Sequence, residues 1–80
     1  MSREILVATT KSGAETRYLL EVFREGEHWT STVARLDARG EPELARVAPR
    51  FYGLTADQAR RRVISVLEND YDEVQPLREA

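Results

Sequence analysis

Tryptophan and arginine residues form the clearest candidate for binding chemistry in this sequence. Trp29 and Arg35 lie six residues apart on one predicted strand. Arg46 and Arg50 lie four residues apart on the next, so each pair shares one face of its own strand. Arginine pairs with phosphate and tryptophan stacks on bases, which makes these four residues candidates for an anion- or nucleic-acid-binding surface. The alternative, which we favour, is that Trp29 belongs to the core and the arginines are solvated.

Residues suited to catalysis are few and poorly placed. The sole histidine, His28, lies beside a predicted hairpin turn, and no serine lies in a Gly-x-Ser-x-Gly motif. Glu25 and Glu27 flank the same turn, where solvated charges are common and no pocket-forming segment is evident. The acidic segment 70–73 lacks the glycine and the spacing of a calcium-binding loop. We therefore predict a protein that is not an enzyme and has no cofactor or metal site.

Composition and charge restrict the class of protein further. The chain has 80 residues, 41% of them hydrophobic and 32% charged, as expected for one small globular domain. It has no cysteine, which excludes disulfides and thiolate zinc sites. We find neither a signal-peptide pattern nor a membrane-length apolar stretch, so we expect a cytoplasmic protein with no membrane partner. The formal net charge of −2 provides no overall attraction to nucleic acid.

The strands that must position these residues follow from the hydrophobic pattern. Apolar and β-branched stretches predict strands over residues 5–9, 17–25, 28–37 and 44–52. The first of these is short, so the prediction is a β-meander of three or four antiparallel strands with turns at Gly26 and Gly40. Segment 17–25 carries apolar residues on both faces, which indicates a central strand or one covered on both sides. Pro49 cannot donate a ladder hydrogen bond, so the last strand should lie at an edge or break there.

One helix, over about residues 55–70, is predicted after the strands. Thr55 fits the N-cap position, and Gln58 completes the pattern of a capping box. Leu54 and Ala59 are spaced for a small hydrophobic staple. The helix has one apolar face, which should pack on the sheet.

The fold class is therefore predicted to be α+β, with a three- or four-stranded antiparallel β-meander packed on one C-terminal α-helix. Residues 1–71 would form this single domain. Residues 72–80 are acidic and contain a proline, so we predict a flexible tail there.

Residues 53–59, with the sequence Gly-Leu-Thr-Ala-Asp-Gln-Ala, resemble the strand-to-helix junction of HicB-like antitoxin domains. In that family a three-stranded sheet precedes the helix in a partial ribonuclease-H-like fold, which residues 17–69 would cover. The family's proline-rich approach to this junction is replaced here by Pro-Arg-Phe-Tyr-Gly at residues 49–53. The resemblance implies a domain without catalysis that recognises a protein partner.

Residues 29–33 (Trp-Thr-Ser-Thr-Val) and 55–59 (Thr-Ala-Asp-Gln-Ala) are similar to segments of another family. These are the three-strand-plus-helix modules that bind DNA at the N-terminus of tyrosine-type integrases, where the exposed sheet face enters the major groove. This resemblance implies that the DNA-reading residues would be Trp29, Arg35, Arg46 and Arg50.

The function predicted from these observations is that of a small non-enzymatic binding or regulatory protein acting through protein–protein contact. A DNA-binding module using the arginine- and tryptophan-bearing sheet face is the alternative, and a structural or oligomerisation domain is the third possibility. Because one helix covers only one sheet face, we also expect a homodimer. A buried Trp29 would favour the partner-binding or structural role, whereas exposure beside Arg46 and Arg50 would favour nucleic acid.

Overall fold

A computed structural model describes residues 2–43 and 49–77 as a single antiparallel sheet with one helix packed against it. The elements in chain order are β1 (Ser2–Thr9), β2 (Glu15–Glu25), β3 (His28–Arg35), β4 (Arg50–Gly53), α1 (Ala56–Glu68) and β5 (Glu73–Pro76). The strand order across the sheet is β4-β3-β2-β1-β5, and all neighbouring strands are antiparallel. The predicted α+β class, with a strand meander and a helix packed on the sheet, is confirmed.

A tight turn joins β2 to β3 in the meander, whereas β3 and β4 are separated by residues 36–49. Gly26, in the turn between β2 and β3, has φ +62°, a conformation that glycine adopts without a steric penalty. After β3, the side chain of Asp37 accepts the backbone N–H groups of Arg39 and Glu41. Of the strand predicted over residues 44–52, the last three residues lie in β4, and residues 44–48 lie outside the described part of the chain.

The segment after the helix differs from the flexible tail expected over residues 72–80. Residues Glu73–Pro76 form β5, which pairs with β1, and the N–H of Leu77 donates to the carbonyl oxygen of Ile5 at 2.8 Å. The open edge of β1 presents unpaired backbone groups, and pairing with them stabilises a segment that has little strand propensity of its own. Pro76 is tolerated because β5 is an edge strand.

Helix α1 begins at the predicted cap. The backbone of Thr55 is extended, and its Oγ1 accepts the N–H of Gln58 at 3.0 Å. The side chain of Gln58 accepts the N–H of Leu54 at 2.6 Å, so the capping box reaches one residue further back than the usual pattern. Leu54 is 81% exposed, and the hydrophobic staple suggested by its spacing from Ala59 is not formed.

We expect Thr55→Ala to lower the free energy of unfolding by about 1 kcal/mol, because it removes the acceptor for a helix N-terminal N–H group. Urea denaturation followed by circular dichroism measures this loss. Ser65→Ala is the control, because Ser65 is exposed in the same helix and alanine has the higher helix propensity. A loss at Thr55 no larger than the change at Ser65 would contradict the capping role.

The core lies between α1 and one face of the sheet, which we call the helix face. Its buried members are Leu6, Leu20, Val22, Ala59, Val63 and Leu67. Two polar contacts fix the helix over this core. The buried Oγ of Ser31 donates to the carbonyl oxygen of Ala59 at 2.7 Å, and Arg60 forms an ion pair with Glu4 of β1. In the described residues, no helix is long and apolar enough to cross a membrane.

Candidate functional site

The four residues predicted as an anion-binding surface are placed by the strand register. Trp29 and Arg35 lie on the helix face of β3. The buried Ser31 contacts α1 from that face, and both residues are an even number of positions away from it along the strand. Arg50 of β4 lies on the opposite face, and Arg46 lies outside the described residues. Trp29 is half-buried and packs against the core. Trp29, Arg35 and Arg50 therefore do not form one platform, and nucleic-acid binding by any of them stays a prediction.

The opposite side of the sheet, which we call the open face, is apolar at its centre. Ile5, Leu19 and Ala34 lie side by side across β1, β2 and β3, and all three are half-buried. Val7 and Phe23 extend this apolar area along β1 and β2. The single helix of the described structure packs on the other side, and no other described helix or strand covers the open face. An apolar sheet surface is therefore left toward solvent.

Charged side chains on the open face occur with both signs. Arg3 and Glu21 form a cross-strand ion pair at 3.4 Å, and Arg50 lies 3.4 Å from a carboxylate oxygen of Glu25. Such exposed pairs contribute little to stability. The two partners of each pair do neutralise each other locally, so these four residues add no net charge beside the apolar centre.

Six side chains gather at the end of the open face nearest the β2–β3 turn, and we call them the open-face cluster. Its members are Phe23, Glu25, His28, Thr30, Arg50 and Tyr52. They combine aromatic rings with an arginine and a carboxylate. Tyrosine and arginine are the residue types that, with tryptophan, most often dominate the binding energy of protein interfaces.

Contacts within the open-face cluster hold its side chains in place. Thr30 is fully buried and its Oγ1 donates to Oε1 of Glu25 at 2.5 Å, the same oxygen that Arg50 approaches. The guanidinium of Arg50 lies 5.8 Å from the ring centre of Phe23, within the range of a cation–π contact. The guanidinium of Arg50 therefore lies between the ring of Phe23 and the carboxylate of Glu25.

Tyr52 contributes an exposed ring to the open-face cluster. It is 52% exposed, and its ring meets that of His28 edge to face, with the centroids 5.3 Å apart. The alternation along β4 places Arg50 and Tyr52 on one face, and that signal is present in the sequence. Their approach to Phe23 and Glu25 depends on the pairing of β3 with both neighbours, which no local pattern reveals.

A second pair of aromatic residues lies on the helix face at the opposite end of the sheet. The hydroxyl groups of Tyr18 and Tyr71 are hydrogen-bonded at 2.7 Å, and their rings meet edge to face. This pair links β2 to the segment between α1 and β5. Burial, together with the hydrogen bond to Tyr71, raises the pKa of Tyr18 from its ordinary value of 10.0 to about 12.

We expect the free energy of unfolding to fall as the pH rises from about 10 to about 12, because of Tyr18. Its pKa is higher in the folded state, so below pH 10 both states hold the proton and the stabilisation is complete. Above pH 10 only the unfolded state releases the proton readily, so stability falls until the folded pKa is passed. Urea denaturation across this range should show a shallower pH dependence for Tyr18→Phe, and an unchanged slope would contradict the assignment.

Comparisons with known proteins add no family to these observations. No protein-family model, no curated protein and no solved structure matches the chain. The resemblances to HicB-like antitoxin domains and to integrase DNA-binding modules therefore stay predictions. Among the described residues, no group of three histidine, aspartate or glutamate side chains is arranged to hold a metal ion.

Proposed function

We propose that this chain is a small non-enzymatic binding module that docks on a protein partner through the open face of its sheet. The observation that supports this proposal is the uncovered apolar centre around Leu19, bordered by the open-face cluster. Extended apolar surface rimmed by polar groups is typical of a protein interaction site. Burial of that surface would provide the affinity, at roughly 25 cal/mol for each Å² removed from water.

The charges of the open face favour a protein over a nucleic acid. Its basic residues are Arg3, Arg17 and Arg50, whereas its acidic residues are Glu15, Glu21, Glu25 and Glu73. Affinity for nucleic acid depends strongly on arginine and lysine that neutralise phosphates, and on this face the acidic residues outnumber the basic ones. A partner with a flat and largely apolar surface fits this face better.

Site-specific photo-crosslinking in living cells tests the proposal. A photoreactive amino acid in place of Val7, on the open face, should form a covalent adduct with the partner. The same amino acid in place of Val66, an exposed apolar position on α1, is the matched control and should form none. Adding Leu19→Glu to the Val7 probe should abolish the adduct while the circular dichroism spectrum stays folded. No adduct from position 7, or equal adducts from both positions, would refute the proposal.

A DNA-binding module is the alternative function, and the observation in its favour is Arg50 beside the exposed ring of Tyr52 on the same strand face. An NMR titration with a mixed-sequence DNA duplex, at low and then at higher salt, distinguishes the two functions. Docking on a protein predicts no salt-sensitive shifts at Trp29, Arg35 or Arg50. Shifts centred on these residues at low salt, where phosphate attraction is strongest, would make DNA binding the better function.

A further inference from the structure

We propose that the occupant of the open face is a second copy of this chain, and that two copies pack face to face as a homodimer. This inference rests on the proposed function, because it names the partner of the same surface. In such a dimer the two sheets form the inner layers of a sandwich about 10 Å apart, as in other sheet-on-sheet packings. The two helices lie on the outside. The open faces then become a second apolar core.

The size of the open face fits a dimer. β1 and β3 have 8 residues each and β2 has 11, which at about 3.3 Å per residue gives a length of roughly 25 Å. The sheet has five strands about 4.8 Å apart, but β4 and β5 have only 4 residues each, so the face covers about 550 Å² before side-chain relief is added. Stable interfaces of ordinary size remove about 800 Å² from each partner, and small crystal contacts less than about 400 Å². The open face lies in the range of a specific dimer.

The charge pattern of the open face is also compatible with contact to the same face of a second copy. In a two-fold dimer the same patch contributes both sides of the contact, so a face of one sign would repel itself. Here Arg3 is paired with Glu21 and Arg50 with Glu25 within one copy. These two arginines thus bring their counter-charges into the interface, and the near balance of acidic and basic residues over the face limits the repulsion between two copies. A partner of strong opposite charge would gain little from such a face.

Sedimentation equilibrium of the full chain, from about 1 µM to about 1 mM, tests the inference across the affinities of ordinary homodimers. The expected species has twice the chain mass of 9.2 kDa. Leu19→Glu should raise the dimer dissociation constant at least about 100-fold, since it buries an unpaired charge at the centre of the contact. Val66→Glu, the same kind of change on the exposed side of α1, should leave it unchanged.

A second variant keeps the test informative if Leu19→Glu unfolds the chain. Tyr52→Glu changes a side chain that is 52% exposed, so folding should persist, and it should weaken the dimer at least about tenfold. A chain that stays monomeric throughout the concentration range overturns the homodimer. In that case an adduct from position 7 with a mass different from that of two chains would still support docking on another protein. If Val66→Glu disrupts the dimer and the open-face variants do not, the open face is not the dimer contact and the proposal is overturned.

Discussion

Leu20→Ala is expected to lower the free energy of unfolding by about 2–5 kcal/mol, whereas Leu19→Ala, one residue earlier, should lower it far less. Leu20 is 0% exposed and lies in the core with Leu6 and Val63, so its truncation leaves an enclosed cavity. Leu19 is half-buried on the open face, where solvent can fill the space that the side chain leaves. Because a domain of this kind is stable by only about 5–15 kcal/mol, the first substitution removes a large share of the total.

Urea denaturation of both variants at micromolar protein concentration measures the two losses. The adjacent pair is its own control, since residue type, strand and substitution are the same and only the face differs. Equal losses at the two positions, unchanged by protein concentration, would contradict the assignment of the helix face and the open face. If the loss at Leu19 grows with protein concentration while that at Leu20 does not, the open face is buried by self-association.

The second large effect is expected for Gly53→Ala, at about 1–3 kcal/mol of destabilisation. A Cβ at Gly53 would lie 2.6 Å from the backbone N of Ala59 and 3.0 Å from Cβ of Gln58. The nearest atom is helix backbone rather than the end of a flexible side chain, so β4 and α1 would have to separate. Gly53 does not have a positive φ, which makes close approach, and not backbone conformation, the reason for glycine here.

Thermal or urea denaturation measures the loss of stability caused by Gly53→Ala. Hydrogen exchange of the α1 amides should show faster opening of the helix in this variant. Leu54→Ala is the matched control, because Leu54 follows in the chain and is 81% exposed. Its effect should stay within about 0.5 kcal/mol, as for most surface substitutions. A Gly53→Ala variant as stable as the wild type would indicate that the contact between β4 and α1 is looser than the structure has it.

Local chemistry explains why the helix start could be predicted from the sequence. The contact between Thr55 and Gln58 spans three residues, so the residue types and their spacing contain the whole interaction. The turn at Gly26 is predictable for the same reason, since only its own backbone conformation is involved. Structural elements that depend only on residues close together in the chain can be predicted without the tertiary structure.

Strand β5 could not be predicted from its own residues. Residues Glu73–Pro76 are mostly polar, and their strand conformation comes from pairing with β1, which lies at the other end of the chain. A propensity argument weighs only the segment itself, so it predicts a flexible tail. The free edge of β1 exists only after the meander has formed, and it is this edge that decides the outcome.

The sequence alone determined that alternate residues share a strand face, which placed Trp29 with Arg35 and, separately, Arg50 with Tyr52. It also determined the helix, its cap and the α+β class, because these depend on local contacts and hydrophobic periodicity. Only the tertiary structure decided which face each strand turns to the helix. A shift of register by one residue exchanges the two faces, and that register is set by long-range pairing and by burial under α1. Trp29 therefore packs on the core while Arg50 lies on the open face.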